Sequence, residues 1–110
     1  MTLWCTPVER PFHSTIRVPG SKSIANRALI CAALSEGRST LKNLPEGDDT
    51  SAMLSGLHAL GIEVTRSGST ATVSRNTALQ SRAIHAELAG TTSRFLTALA
   101  ATAESKISID

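Results

Sequence analysis

Apolar positions along this chain fall into short blocks whose spacing changes type several times, and the changes set the expected elements. Residues 13–18 (His-Ser-Thr-Ile-Arg-Val) predict a strand that stops at Pro19-Gly20. A helix is expected from about Lys22 to Ser35. Ile24, Ala28, Leu29, Ile30, Cys31, Ala32, Ala33 and Leu34 put apolar side chains on most of its sides, the pattern of a buried helix, and Gly37 offers a C-terminal cap. Ser39 to Leu44 alternates weakly and reads as a short strand. Asp48 or Asp49 offers an N-cap for a second helix, with acidic charge at the positive end of its dipole. Met53, Leu54, Leu57 and Leu60 share one face of that helix, and Gly61 closes it. Ile62–Thr65 and Thr70–Ser74 alternate on either side of Ser67-Gly68-Ser69 and predict a β-hairpin. Beyond it the pattern gives a strand over Ala83–Leu88, a helix from near Thr91 to about Ala103, and a last alternation over Lys106–Asp110.

The order is therefore α/β (α+β): strand, helix, strand, helix, hairpin, and then the start of the same series again. A short internal echo supports the second start. Gly20 and Gly90 each open a helix, Ser23 and Ser93 follow three positions later, and Ala28-Leu29 and Ala98-Leu99 follow at eight and nine. Self-similarity at a fixed offset tracks a repeated structural unit. The echo predicts one complete unit and part of a second.

Composition narrows the picture. The 110 residues include only three aromatics, Trp4, Phe12 and Phe95, so the core must be built from Leu, Ile, Val and Ala. A net charge of +2 with no basic run argues for neither a nucleic-acid nor a membrane partner. No segment approaches the ~20 apolar residues of a membrane span. Cys5 and Cys31 form no CxxC pair, and the N-terminus lacks the basic-then-apolar pattern of an export signal. Free thiols in a reducing, cytoplasmic compartment are the expectation.

Candidate chemistry gathers at the two helix starts. Gly20-Ser21-Lys22-Ser23 sets a hydroxyl on either side of a lysine, and Arg27 lies one turn after Ser23 on the same face. An ammonium, a guanidinium, hydroxyls and the unpaired amides of a helix amino end suit a carboxylate or phosphate. A capped helix with solvated basic side chains accounts for the same residues equally well. A nucleotide P-loop does not: it needs a glycine directly before the lysine and another five positions upstream, where this chain has Ser21 and Ile16. Ala89-Gly90-Thr91-Thr92-Ser93-Arg94 is a second small-residue helix start, readable as a ligand approach or as a tight turn with a threonine cap. Asp48-Asp49 reads as a helix cap rather than a metal pair, since no third ligand stands at useful spacing, and His13, His58 and His85 form no cluster. Glu87, a single carboxylate before the second start, identifies nothing.

The run Pro19-Gly20-Ser21-Lys22-Ser23-Ile24-Ala25-Asn26-Arg27-Ala28-Leu29 resembles the early signature of the 5-enolpyruvylshikimate-3-phosphate synthase family, Pro-Gly-Ser-Lys-Ser, two variable residues, then Asn-Arg-Ala-Leu. Asp48-Asp49-Thr50, the Met53–Gly61 stretch and Leu88-Ala89-Gly90-Thr91-Thr92-Ser93-Arg94-Phe95 resemble later family segments in the same order. Ala25, Leu88, Ser93 and Phe95 depart from residues common there.

The resemblance implies the enolpyruvyl transferase fold and a transferase that uses no metal or organic cofactor. It would move the enolpyruvyl group of phosphoenolpyruvate to the 5-hydroxyl of shikimate 3-phosphate, releasing phosphate, in aromatic amino-acid biosynthesis. By the same resemblance Lys22 touches both substrates and is catalytic, Ser23 and Arg27 hold the shikimate carboxylate, and Ala89, Gly90 and Thr91 lie against phosphoenolpyruvate. Residues 1–18 would cross toward a second domain, and 19–110 would be part of an N-terminal domain. The family's chains are about four times longer and monomeric, so these 110 residues are expected to be an inactive part with half a site, prone to self-association. Two alternatives stand beside this reading: a relative acting on UDP-N-acetylglucosamine, and a non-catalytic anion-binding or assembly module.

Overall fold

A computed structural model describes residues 1–76, 78–80, 83–85 and 90–110. Helix α1 (Lys22–Leu34) leads to β1 (Gly37–Leu41), α2 (Asp48–Ala59), and the hairpin β2 (Glu63–Ser67) and β3 (Thr70–Arg75). Then come β4 (Ala83–Ile84), α3 (Gly90–Ala100) and β5 (Ser108–Ile109).

Strand β3 lies between β1 and β2 and is antiparallel to both, with Ser39 opposite Val73 and Val64 opposite Val73 on the other side. The hairpin closes with Ser67 opposite Thr70, leaving Gly68-Ser69 as a two-residue loop. Gly68 has φ +56°, and a positive φ at the first loop residue alone is the φ pattern of a type II′ turn, whose twist suits the flanking strands. The three helices pack on one another, and α1 and α2 also pack on this sheet. Between them lies the aliphatic core that the composition predicts: Leu29, Met53, Leu57, Leu60, Ile62, Val73, Ile84, Leu96 and Leu99 are almost wholly buried. The predicted apolar face of α2 is the buried one. Gly56 lets α3 come close, because a Cβ there would stand 2.3 Å from Leu96 Cδ1. Strands β4 and β5 pair in parallel, Ala83 with Ser108 and Ile84 with Ile109, so the second series begins with a crossover through α3.

Several expectations change. Residues 13–18 make no strand: Ile16 and Val18 are exposed, and no described strand lies beside them to complete a ladder. Helix α1 is not buried all round. Ala25, Asn26, Leu29, Ala32 and Ala33 face the core, while Ile24, Arg27, Cys31 and Leu34 form an exposed stripe at helical spacing. Its C-cap is Ser35, whose N–H bonds the Cys31 carbonyl, and Gly37 instead starts β1 two residues earlier than expected, at φ +80°. Helix α2 is capped by Gly47, so Asp48 and Asp49 sit inside its first turn, where they still meet the positive dipole end. Its far end follows the sequence. Gly61 at φ +85° gives its N–H to His58 and Ile62 gives its N–H to Leu57, the paired bonds of a Schellman cap. Helix α3 starts at Gly90 and stops at Ala100, three residues short of the expected end. The expected strand over 83–88 is described only at Ala83–Ile84, with 86–89 outside the described residues.

Candidate anion site at three helix amino ends

Helix α1 begins directly after Pro19-Gly20-Ser21. Ser21 is its N-cap: its hydroxyl accepts the Ile24 N–H, and its carbonyl accepts the Ala25 N–H at 2.9 Å. Gly20 is required by the neighbouring backbone. A Cβ there would lie 2.0 Å from the Asn43 carbonyl oxygen, so only glycine fits against the loop after β1. The space a side chain would need at this glycine is taken by residue 43.

Lys22, the first residue of α1, reaches across to Asp49 in the first turn of α2 and forms an ion pair with its carboxylate. The Asp49 backbone carbonyl in turn accepts a hydrogen bond from the Thr92 hydroxyl, 3.2 Å away, in the first turn of α3. One residue of α2 thus ties the amino ends of all three helices together. One turn further along, the Arg27 guanidinium donates to the Ser23 carbonyl at 3.0 Å and also contacts the Ser23 hydroxyl, as the shared face predicts. The same guanidinium stands over the Phe95 ring of α3, 5.6 Å from its centroid.

Three amino ends in one place sum their partial positive charges and their unpaired N–H groups. Asp48 and Asp49 offset this at α2, whereas α1 and α3 have no acidic residue in the first turn. The open amino ends of α1 and α3, with Lys22 and Arg27 between them, suit an anion. Gly90 adds space, since a Cβ there would meet none of the described residues within 4 Å.

Lys22, Ser23 and Arg27 are therefore brought together, and Gly90 and Thr91 begin the helix tied to them through Thr92. Ala89, called with these, lies outside the described residues, as does Glu87. Asp49, Thr92 and Phe95 were missed as parts of one site. They stand 27 to 73 positions from Lys22 along the chain, and no local spacing joins them; only the packing of α1, α2 and α3 does. A groove of about 260 Å³ between α1 and the end of β1, lined by Gly20, Ser21, Ile24 and Lys42 among others, holds none of the three predicted α1 residues. Neither does the larger cavity of about 320 Å³ between α2 and β2. Among the described residues no three His, Cys, Asp or Glu side chains converge, and no helix is long and apolar enough to cross a membrane.

Comparison with known proteins places these residues in context. The family model described as EPSP synthase (3-phosphoshikimate 1-carboxyvinyltransferase) matches residues 8–110. A 3-phosphoshikimate 1-carboxyvinyltransferase of Paraburkholderia phytofirmans is 54% identical over 59 residues, covering 54% of this chain and 14% of that protein. Its counterpart in Burkholderia lata is 52% identical over the same length. A solved EPSP synthase structure from Acinetobacter baumannii superimposes with a TM-score of 0.72 at 24% identity, over 86% of this chain and 23% of that one, which bears on the fold alone. A second structure from the same organism gives a TM-score of 0.62 at 26% identity, over 72% of this chain and 19% of that one.

Proposed function

The chain belongs to the EPSP synthase family, and from that premise we propose that its three helix amino ends form one wall of a site for shikimate 3-phosphate and phosphoenolpyruvate. The matched part spans 14% of the length of the curated relatives, so the activity proposed is that of the whole site to which this wall contributes. That activity is transfer of the enolpyruvyl group of phosphoenolpyruvate to the 5-hydroxyl of shikimate 3-phosphate with release of inorganic phosphate, in the cytoplasm.

The observation that carries the reading is the set of contacts from Lys22 to Asp49 to Thr92 that joins the amino ends of α1, α2 and α3, with Arg27 bonded to Ser23 one turn along α1. In this reading the Arg27 fork and the Ser23 hydroxyl hold a planar carboxylate on shikimate 3-phosphate. Lys22 offers a compact charge between two anions, and the open space at Gly90 and Thr91 takes phosphoenolpyruvate. Bringing two anions together in water is costly. Fixed cations and helix ends lower that cost without having to reorient during the reaction. The exposed apolar side chains of residues 1–18, among them Leu3, Trp4 and Phe12, suit packing against a second domain.

Calorimetry with shikimate 3-phosphate tests the site. Binding to the full-length natural polypeptide should weaken by on the order of 10- to 100-fold in Arg27→Ala, since a charge-assisted bond to the ligand is lost. Indifference to that substitution, or to the ligand, would leave a structural role for the motif. Residues 1–110 alone are expected to release no phosphate from the two substrates above background.

A further inference from the structure

Asp49 has two ties, and they point in different directions. Its carboxylate pairs with the Lys22 ammonium on α1, and its carbonyl accepts from Thr92 on α3. Its neighbour Asp48 shares the first turn of α2 and its dipole but makes no such contact among the described residues. From this difference we infer that Asp49 is a positioning residue for the proposed reaction: it fixes the Lys22 ammonium at the meeting point of the three helices. The inference rests on the proposed function, and it names a residue that the reading of the motif left as a helix cap.

The physical case begins with lysine itself. Its four-carbon stem is flexible, and an unrestrained ammonium samples many positions, most of them useless to a bound anion. The Lys22 side chain is just over half exposed and the Asp49 side chain is about a quarter exposed, so the carboxylate is the better-anchored partner. Thr92 anchors it further by holding the backbone of the same residue. An ammonium has three N–H donors. One spent on Asp49 leaves two, enough for one bond to each of two anions. A carboxylate beside the lysine also offsets part of its attraction for anions. Positioning must therefore outweigh that loss, and the balance can be measured.

The test uses the full-length natural polypeptide with Asp49→Asn, Asp49→Glu and, as the control for charge at the helix start, Asp48→Asn. The lysine side chains are isotopically labelled and the Lys22 signal is assigned with Lys22→Arg. Asp49→Asn should move the Lys22 ammonium resonance and lower kcat/KM by about 100-fold, the scale of a misplaced catalytic group. Asp49→Glu should restore part of that loss, and Asp48→Asn should change neither readout. In Lys22→Ala, Asp49→Asn should cost nothing further, because the two act as one unit. A Lys22 resonance unmoved by Asp49→Asn overturns the inference whatever the activity. So does equal loss in Asp48→Asn, which would make helix-end charge the cause, or additive loss in the double variant. A wild type that binds neither substrate while the resonance still moves overturns the proposed function, and with it the catalytic role of the pair.

Discussion

The two glycines that the internal echo aligns, Gly20 and Gly90, stand in opposite surroundings. Gly20 is pressed against the Asn43 carbonyl, and the helix it precedes is held on every side that matters: by Asn43 behind, by Asp49 at Lys22, and by Phe95 at Arg27. At Gly90 a Cβ would meet none of the described residues within 4 Å. The echo extends to the core, since Leu29 and Leu99 are both buried, but not to the ends. A repeated unit thus keeps its packing side and divides labour at its amino ends. One start is fixed so that it can present charged side chains. The other meets none of the described residues at its first position, and in the proposed site its use is the room it leaves.

The largest effect should come from removing that difference at Gly20. An added methyl in Gly20→Ala meets a backbone oxygen, which cannot swing aside as a side-chain end can. The loop after β1 or the start of α1 must move, at a cost of about 3 kcal/mol, the upper part of the range for overpacking. Urea unfolding should show the loss as a lower midpoint with an unchanged slope. Because Lys22 and Ser23 follow directly, affinity for shikimate 3-phosphate should fall together with stability. An alanine variant as stable as wild type would mean that Asn43 is not held against Gly20, and the contrast between the two starts would collapse.

Gly90→Ala should give the reverse pairing. The backbone there belongs to α3, so alanine fits, and a helix residue with less freedom in the unfolded chain should raise stability by about 0.4–1 kcal/mol. The same methyl enters the space proposed for phosphoenolpyruvate. Affinity for that ligand should fall by about 10-fold, the usual scale for one misfitting methyl, while shikimate 3-phosphate is bound as before. Stability up and one ligand down is the signature of an open functional end. Loss of both ligands would show that the second start is as tightly built as the first.

These contrasts also mark how far the sequence could be read. Elements with a strong local signal were legible: the apolar face of α2, its Gly61 stop and the β2–β3 hairpin all follow from period and turn chemistry. The Ser23–Arg27 pairing was legible too, because it is one helical turn. What failed needed knowledge of neighbours. A strand over residues 13–18 requires a partner strand, and burial of Ile24 and Cys31 requires something to cover them. The role of Gly20 depends on residue 43, and that of Asp49 on residues 22 and 92. Asn26 shows the limit most sharply. It sits in the recognisable Asn-Arg-Ala-Leu run, yet it is fully buried with no partner among the described residues for either polar side-chain atom.

The smallest effect should come from Phe95, and it separates a held helix start from one that is merely crowded. Phe95 is half-buried on α3 and carries the Arg27 guanidinium over its ring. A cation above an aromatic face at a partly exposed site is worth about 0.5–1 kcal/mol. Phe95→Leu keeps an apolar side chain against the core and removes only the ring. If the ring fixes the Arg27 fork, affinity for shikimate 3-phosphate should drop by about 2- to 5-fold, the equivalent of that energy, with little change in the unfolding midpoint. Arg27→Ala supplies the control. In that background the ring has no cation to hold, so Phe95→Leu should leave the residual affinity unchanged. Equal losses in both backgrounds would make Phe95 a packing residue, and α1 would then be held at Gly20 and Lys22 alone.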